Sequence, residues 1–180
     1  MSVNKGSNET VTRSEGLELV MERFFMAPRE LLFAAYTEAD HIKNWWGPNG
    51  WMTTNYQMDV RPGGIWHYCM RSPEGEEAWG KSVYQEVTAP ERLVYIDNFS
   101  DENGNDVEGY ADMRITVDFI EEGNGTRLVT RTLFANEEEI KAFTGKSPEE
   151  GAWEAKELCD LVVIKLGAEG SFCVCEKGMI

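Results

Sequence analysis

Few side chains in this chain could carry acid-base or nucleophilic chemistry. The sequence contains two histidines, His41 and His67, so any histidine-based catalysis has to use one of these two rings. His67 and Cys69 are two residues apart in an alternating stretch, which places both on one strand face, where a cysteine-histidine dyad is conceivable. Side chains with this spacing point in the same direction rather than at each other. The spacing therefore favours structural roles, and we identify no catalytic residue.

A carboxylate offers a second route to chemistry. Glu86 alternates with Ser82 and Tyr84, so it would be a buried acid or base if this strand face turns inward. The alternative for Glu86 is an ion pair or a backbone hydrogen bond near the edge of the sheet. Chemistry at this position therefore depends on the direction in which the strand faces.

The cysteines and acidic runs do not form a recognisable metal site. Cys69, Cys159, Cys173 and Cys175 follow neither a disulfide framework nor a four-ligand zinc pattern. The acidic loop at 101–106 lacks the closing glutamate of a calcium-binding hand. We therefore expect no metal and no other cofactor, and we expect a frayed tail or a small strand around Cys173 and Cys175.

Tryptophan is concentrated in one part of the chain. Trp45, Trp46 and Trp51 lie within seven residues, and Trp66 follows the turn at 62–64. Such a cluster forms either a filled corner of the core or the wall of a cavity for an apolar ligand. Function is therefore expected at this corner.

The periodicity of the chain predicts the elements that hold these residues. Residues 17–25 alternate as a strand, and two short helices follow, with Pro28 in the first turn of one and Thr37 as the cap of the other. The period then changes to two, which predicts a meander of six antiparallel strands at 52–60, 65–71, 78–88, 91–99, 110–121 and 126–135.

A long helix is predicted at the carboxyl end of the domain. Ser147 and Pro148 have the spacing of a helix start, and an apolar stripe runs from Ala155 to Leu166 before Gly167. These elements predict an α+β fold in which a curved antiparallel sheet wraps around this helix. We expect a polar tail at 1–16, one domain at 17–167 and a second tail at 168–180.

Composition excludes several functional classes. The 180 residues carry a formal net charge of −15, which disfavours binding to nucleic acids and to anionic lipid headgroups. The mean hydropathy of −0.43 and the polar start predict neither a membrane-spanning helix nor a signal peptide. A cytoplasmic protein is therefore expected.

The order of motifs resembles a known family. The segments that carry the resemblance are Arg23 with Phe25, Ala27-Pro28-Arg29-Glu30, Trp45-Trp46-Gly47-Pro48, Asp59, Arg61-Pro62-Gly63-Gly64, Trp66, Met70, Tyr84-Gln85-Glu86-Val87, Pro90-Glu91-Arg92-Leu93 and Gly125-Thr126-Arg127-Leu128. Together they resemble the activators of heat-shock protein 90 ATPase homologues, within the START-like (SRPBCC) superfamily of helix-grip domains, across roughly residues 17–166. The resemblance implies a helix-grip fold. It also allows a homodimer or a chaperone partner.

The resemblance and the strand alternation together predict a ligand cavity between the helix and the sheet. The expected lining residues are Trp46, Met58, Trp66, Tyr68, Met70, Tyr84, Glu86, Met113, Ile115, Leu158 and Val162. A small, largely apolar molecule would bind there without a catalytic cycle. Two alternatives are regulation of the heat-shock protein 90 ATPase, and a cyclase or hydrolase acting on an aromatic or polyketide-like substrate with Glu86 or Tyr84 in the cavity.

Overall fold

One curved antiparallel sheet organises the molecule. The computed structural model describes residues 10–108, 110 and 112–134, and two short strands at 163–164 and 172–173. The strands are β1 (Val11–Glu15), β2 (Glu18–Phe25), β3 (Met52–Met58), β4 (Ile65–Arg71), β5 (Glu77–Thr88), β6 (Arg92–Phe99), β7 (Met113–Glu122), β8 (Gly125–Leu133), β9 (Val163–Ile164) and β10 (Phe172–Cys173). The first eight lie in the order β1-β2-β8-β7-β6-β5-β4-β3, which confirms the predicted six-strand meander.

Turn residues set the short connections of the meander. Gly63 has a φ of 78°, a left-handed conformation that glycine adopts without a steric penalty. A Cβ atom on Gly64 would lie 2.0 Å from the backbone oxygen of Asp59, so no side chain fits there. The Pro62-Gly63-Gly64 turn therefore allows β3 and β4 to pair at close range.

Two short helices separate β2 from β3, as the sequence predicts. Helix α1 (Arg29–Thr37) follows Pro28, and α2 (Ala39–Ile42) has Glu38 at its N-cap. Thr37 does not cap α2. Its hydroxyl group donates a hydrogen bond of 2.8 Å to the backbone oxygen of Phe33 and so belongs to the end of α1. Helix α1 packs against β7 and β8, and its Phe33 ring meets Phe119 edge-on at 5.4 Å.

Two predicted segments differ from the structure. Residues 11–15, assigned to a polar tail, form β1, which pairs with β2 from Val11 opposite Glu22 to Glu15 opposite Glu18. The long carboxyl-terminal helix is not confirmed, because its residues lie almost entirely outside those that the structure describes. At 163–164, where that helix was expected, β9 pairs with β10 instead.

The core occupies one face of the sheet, here called the inner face. Trp66, Tyr68 and Met70 point to this face, as their alternation predicts, and all are at most 4% exposed. Tyr84, Tyr95, Ile115 and other core residues from the neighbouring strands join them. The helices cover one end of this face, so the tryptophan corner lies where helix and sheet meet.

Candidate functional site

The tryptophan corner is held to the sheet by ring contacts and hydrogen bonds. Trp46 is 8% exposed and meets Trp66 at 4.7 Å and Tyr68 at 5.7 Å, both edge-on. The backbone oxygen of Trp46 accepts a hydrogen bond from the hydroxyl group of Thr53 on β3. Trp45 is half-buried, and its indole nitrogen donates to the backbone oxygen of Ala35 at 3.0 Å. Trp46 is thus part of the core, whereas Trp45 joins the corner to α1.

A cavity of about 60 Å³ opens beside this corner on the inner face. The residues that line it are Thr10, Met21, Glu22, Arg23, Tyr36, Trp45, Trp46, Tyr95, Ile115, Leu128, Thr130 and Thr132. A buried water molecule needs roughly 10–15 Å³, so the cavity is larger than the space that one water molecule occupies. The cavity therefore has room for part of a small molecule.

Strand register brings these lining residues together from distant parts of the chain. Thr132 on β8 is opposite both Leu19 on β2 and Ile115 on β7, and Ile115 is opposite Tyr95 on β6. In a second row Arg23 is opposite Leu128. Because β8 inserts between β2 and β7, residues about 100 positions apart in sequence share one wall.

The lining of the cavity combines aromatic and polar groups. Tyr36, Trp45 and Trp46 are its aromatic members, and the Tyr36 and Trp45 rings are 4.6 Å apart. Arg23 also lines the cavity, and its guanidinium group lies 5.2 Å from the centre of the Phe25 ring, within cation-π range. Thr130 forms a hydrogen bond with Tyr36, whose pKa is nevertheless raised, because burial disfavours the phenolate. Tyr36 therefore remains a neutral phenol near pH 7.

A second polar group lies on the inner face, within the sheet. The buried hydroxyl group of Ser82 donates a hydrogen bond of 2.6 Å to Oδ1 of Asp97. Burial raises the pKa of Tyr68, Tyr84 and Tyr95, and the charge of Asp97 raises all three further. The tyrosines around Asp97 are therefore hydrogen-bonding groups rather than acids that ionise near neutral pH.

Close packing fixes Tyr68 in this group. A Cβ atom on Gly80 would lie 2.4 Å from the Tyr68 hydroxyl oxygen, so glycine at this position creates the space for the ring. The Nε1 atom of Trp46 is buried and has no hydrogen-bond partner of good geometry among the described residues. The Trp46 side chain lies near the Tyr68 hydroxyl group. This contact lowers the pKa of Tyr68 and so partly offsets the larger rise that burial causes.

The structure brings most of the predicted ligand-binding residues to one face. Trp46, Trp66, Tyr68, Met70, Tyr84, Met113 and Ile115 are buried in the inner-face core, and Met58 is partly buried against it. Trp46 and Ile115 line the cavity itself. Leu158 and Val162 lie outside the described residues. Whether any of these residues binds a ligand stays a prediction.

Glu86 is the predicted site residue that the structure separates from the others. The register of β5 against β6 shifts between Tyr84 and Glu86, as in a β-bulge, and Val87 rather than Glu86 packs against the core. The side chain of Glu86 is 47% exposed, with its Oε2 atom 3.6 Å from Arg92. One extra residue in a strand reverses the face of everything that follows, so Glu86 leaves the face of Tyr84.

His67 and Cys69 do not form a dyad. The Nε2 atom of His67 lies 3.1 Å from the backbone oxygen of Asp101, and the Cys69 thiol is directed to the backbone oxygen of Met70 at 3.7 Å. Burial is the main cause of the raised pKa of Cys69, and a raised pKa disfavours the nucleophilic thiolate. These contacts give both residues structural roles on the outer face.

Neither a metal-binding cluster nor a membrane-spanning helix occurs in the part of the chain that the structure describes. Within it, no three His, Cys, Asp or Glu side chains are grouped so that they could hold a metal ion. Asp101 instead accepts hydrogen bonds from Asn105 and Asn103 within its own loop, which lowers its pKa. None of the helices among these residues is long and apolar enough to cross a membrane.

Arg23, Thr130, Thr132, Ser82 and Asp97 were not among the predicted site residues. The signal for them is the alternation itself: Leu19, Met21, Arg23 and Phe25 share one face of β2, as Leu128, Thr130 and Thr132 do on β8. A polar residue on an otherwise apolar strand face is therefore a candidate for a specific role in the site. Alternation alone does not show that β2 pairs with β8, and this pairing is what brings the residues of the two strands together.

Known proteins share this architecture. Protein Ms6760 from Mycobacterium smegmatis is 26% identical, with a TM-score of 0.68 over 81% of this chain and 91% of that one. A protein from Arthrobacter aurescens is 27% identical, with a TM-score of 0.69 over 81% and 88%. A protein from Staphylococcus epidermidis, at 23% identity and a TM-score of 0.66 over 81% of each chain, shares the fold. No curated protein matches the sequence.

The sequence also matches a family across most of its length. The model of the family described as "Activator of Hsp90 ATPase homolog 1-like protein" matches residues 26–155. This range includes both helices, the tryptophan corner and the whole meander from β3 to β8. The chain therefore belongs to the family of Activator of Hsp90 ATPase homolog 1-like proteins.

Proposed function

We propose that the protein binds a small, largely apolar molecule on the inner face of its sheet, without a catalytic cycle of its own. The observation that carries this proposal is the cavity between the tryptophan corner and β8, with Tyr36, Trp45, Trp46, Ile115 and Leu128 in its wall. Ligand sites are typically concave and lined by apolar and aromatic groups with a few polar groups that set orientation. This cavity has both components.

The chemistry of the lining favours binding over catalysis. The pKa of Tyr36 is raised by burial, so this phenol stays protonated near neutral pH and is not available as a general base. The enzyme alternative requires Glu86 or Tyr84 in the cavity, and neither residue lines it. The cavity wall instead supplies surface for an apolar group.

A neutral fluorescent probe tests the proposal. N-phenyl-1-naphthylamine carries no charge and fluoresces strongly in apolar surroundings, so it reports on the apolar wall alone. Replacing Ile115, which lines the cavity, by Phe fills part of the space, and we expect the affinity for the probe to fall at least severalfold. The matched control is Ile120→Phe on the same strand, since Ile120 is 47% exposed.

Three outcomes are informative. Loss of binding in Ile115→Phe with unchanged binding in Ile120→Phe supports the cavity as the site. Equal binding by both variants and the parent places the probe elsewhere and contradicts the proposal. Binding too weak to measure in the parent, whose folding is verified by circular dichroism, contradicts it as well.

Regulation of the Hsp90 ATPase is the second candidate. The family description names this ATPase, and the name is the observation that favours it. An ATPase assay with Hsp90 and increasing amounts of the protein tests the idea. A saturable change in the rate supports it, and an unchanged rate at a large excess of the protein removes it.

A further inference from the structure

We infer that the ligand of the cavity carries an uncharged oxygen group, a hydroxyl or a carbonyl group, that forms a hydrogen bond with the phenol of Tyr95. This inference rests on the proposed function, because it specifies the ligand of the same cavity. Two observations carry it: a buried phenol on the cavity wall that no described residue hydrogen-bonds, and charged lining groups that already have partners within the protein.

Tyr95 presents its hydroxyl group at a fixed place in the cavity wall. It lies on the inner face of β6, between Tyr84 on β5 and Ile115 on β7, and it is 4% exposed. Side chains stand roughly perpendicular to a sheet, so the hydroxyl group is the part of this side chain farthest from its backbone. The Tyr95 ring packs edge-on against Tyr84 at 5.9 Å. This contact holds the phenol in place above the sheet.

The hydroxyl group of Tyr95 has no hydrogen-bond partner among the residues that the structure describes. Burial raises the pKa of this phenol well above its ordinary value, and the nearby Tyr36 and Asp97 raise it further, but no hydrogen bond contributes. Unlike the Nε1 atom of Trp46, the hydroxyl oxygen is not sealed from open space. Buried tyrosine hydroxyl groups normally have a hydrogen-bond partner, so this one fits a site in which a ligand supplies it.

The charged groups of the lining do not call for a charged ligand. Among the described residues, Glu22 and Arg23 are the charged members of the cavity wall. The Glu22 oxygens lie 2.5 Å from the Nη1 atom of Arg13 and 3.9 Å from that of Arg127, so two arginines match its charge. Arg23 likewise has an interaction partner within the protein. Selection of a ligand is therefore left to the uncharged groups.

The charge nearest to Tyr95 opposes an anion. Asp97 is 7% exposed, and its negative charge contributes to the raised pKa of Tyr95. A ligand carboxylate beside this phenol would meet the same repulsion, and the net charge of −15 adds to it at long range. An uncharged hydroxyl or carbonyl oxygen avoids this repulsion and still accepts a hydrogen bond from the phenol.

Other hydroxyl groups of the lining have the same character. Tyr36, Thr130 and Thr132 line the cavity together with Tyr95, and all four side chains are uncharged. Thr132 and Tyr95 flank Ile115 from its two sides in one row across the sheet. Thr130 is already engaged with the phenol of Tyr36, which leaves Tyr95 as the phenol that a ligand can satisfy. An apolar body with one uncharged oxygen group matches this wall.

Two competitors of the same shape test the inference. Naphthalene-2-methanol and 2-ethylnaphthalene differ by a hydroxyl group in place of a methyl group, and each is titrated against bound N-phenyl-1-naphthylamine at pH 7.5. Tyr95→Phe removes the phenol oxygen and keeps the ring. In this variant we expect the affinity for the alcohol, relative to that for the hydrocarbon, to fall about threefold or more, because one hydrogen bond is lost. The affinity for 2-ethylnaphthalene should change little.

A matched variant and a third competitor complete the design. Tyr56→Phe removes a phenol oxygen from a side chain that is 55% exposed, and it should leave the relative affinity unchanged. Naphthalene-2-carboxylate adds a charge to the same ring system, and in the parent it should compete about tenfold or more less effectively than the alcohol. This comparison uses the parent alone, so it decides the charge of the ligand even if a variant does not fold.

The outcomes distinguish this inference from the function on which it rests. If the neutral probe binds but the relative affinity is the same in Tyr95→Phe as in the parent, or falls equally in Tyr56→Phe, the hydrogen bond to Tyr95 is wrong and the apolar cavity stands. A carboxylate that competes better than the alcohol also contradicts the inference. If the neutral probe does not bind the parent at all, both ideas fail. A fall in Tyr95→Phe alone, with the alcohol preferred to the carboxylate, supports the inference.

Discussion

The contrast between two adjacent indoles defines the site at the scale of single residues. Trp46 is 8% exposed and touches Trp66 and Tyr68, whereas Trp45 is half-buried and hydrogen-bonded to α1. Both line the cavity, so each could serve binding, stability or both. The difference in burial predicts that Trp46 contributes more to stability than Trp45 does.

Truncation of the two tryptophans should separate these roles. Trp46→Ala should lower the free energy of unfolding by roughly 3–5 kcal/mol, because it removes a fully packed indole from the core. Trp45→Ala should cost less, since part of its ring is already in contact with solvent. Urea denaturation followed by circular dichroism measures both values. If both variants unfold like the parent and only probe binding falls, the corner is a binding rim and not a structural support.

At the same scale, a single inserted residue explains why Glu86 was assigned to the wrong face. Strict alternation carries the face of Tyr84 to Glu86, but the bulge between them moves Val87 to the core. A bulge has no strong signature in one sequence, so alternation misassigns the residues beyond it. Trp66, Tyr68 and Met70 were placed correctly because β4 pairs with β5 without a bulge.

Among the elements, β1 shows how a strand can be hidden in a polar segment. Val11 is its single strongly apolar residue and is 47% exposed, so its sequence lacks the alternation of the other strands. β1 nevertheless forms a regular antiparallel pair with β2, and the ion pair between Arg13 and Glu22 joins the two strands. Residues 11–15 therefore belong to the folded sheet.

Shortening the chain tests this assignment. We compare a variant that begins at Leu17 with a variant that begins at Thr10, so that the two differ by β1 and its turn. Loss of β1 exposes the backbone groups of β2 and should lower the melting temperature by several degrees, since about 1 kcal/mol corresponds to roughly 2–8 °C in domains of this size class. Equal melting temperatures of the two variants would show that residues 11–15 do not stabilise the sheet, and would contradict this assignment.

The sheet order also shows where sequence reasoning ends. The meander from β3 to β8 follows from a period of two and from short turns, both of which are local properties. The cavity depends on β8 lying between β2 and β7, a pairing between segments about 100 residues apart that no local pattern encodes. The aromatic part of the wall was therefore predictable, and the polar lining residues Arg23 and Thr130 were not.

For the whole molecule, charge governs the response to acid. The net charge is −15 at neutral pH and the isoelectric point is about 4.5, so the chain becomes positively charged below that pH. Hydrogen bonds from Arg13 and Arg131 lower the pKa of Glu15, and hydrogen bonds from Arg71 and Trp79 lower that of Glu77. A carboxyl group whose pKa is lowered by folding stabilises the native state while ionised, and this contribution is lost as the pH falls through its folded-state pKa.

Stability should therefore fall below about pH 4, where lost ion pairs and positive self-repulsion act in the same direction. Glu15→Gln should be less stable than the parent at pH 7, and this difference should shrink as the pH falls through the lowered pKa of Glu15, because the parent then loses the same ion pairs. Thermal melts between pH 3 and pH 7 measure the difference, with Glu102→Gln on the exposed loop as control. A difference that is independent of pH would contradict the ion-pair account.

The central claim is that a small apolar molecule binds in the inner-face cavity, and intermolecular nuclear Overhauser effects test it most directly. The protein carries labelled methyl groups on isoleucine and leucine, and the neutral probe N-phenyl-1-naphthylamine is added to saturation. The account predicts effects from the naphthalene protons to the methyl groups of Ile115 and Leu128, which line the cavity, and none to exposed Ile120. Effects at Ile120 without effects at Ile115 and Leu128, or no intermolecular effects at saturation, would contradict it.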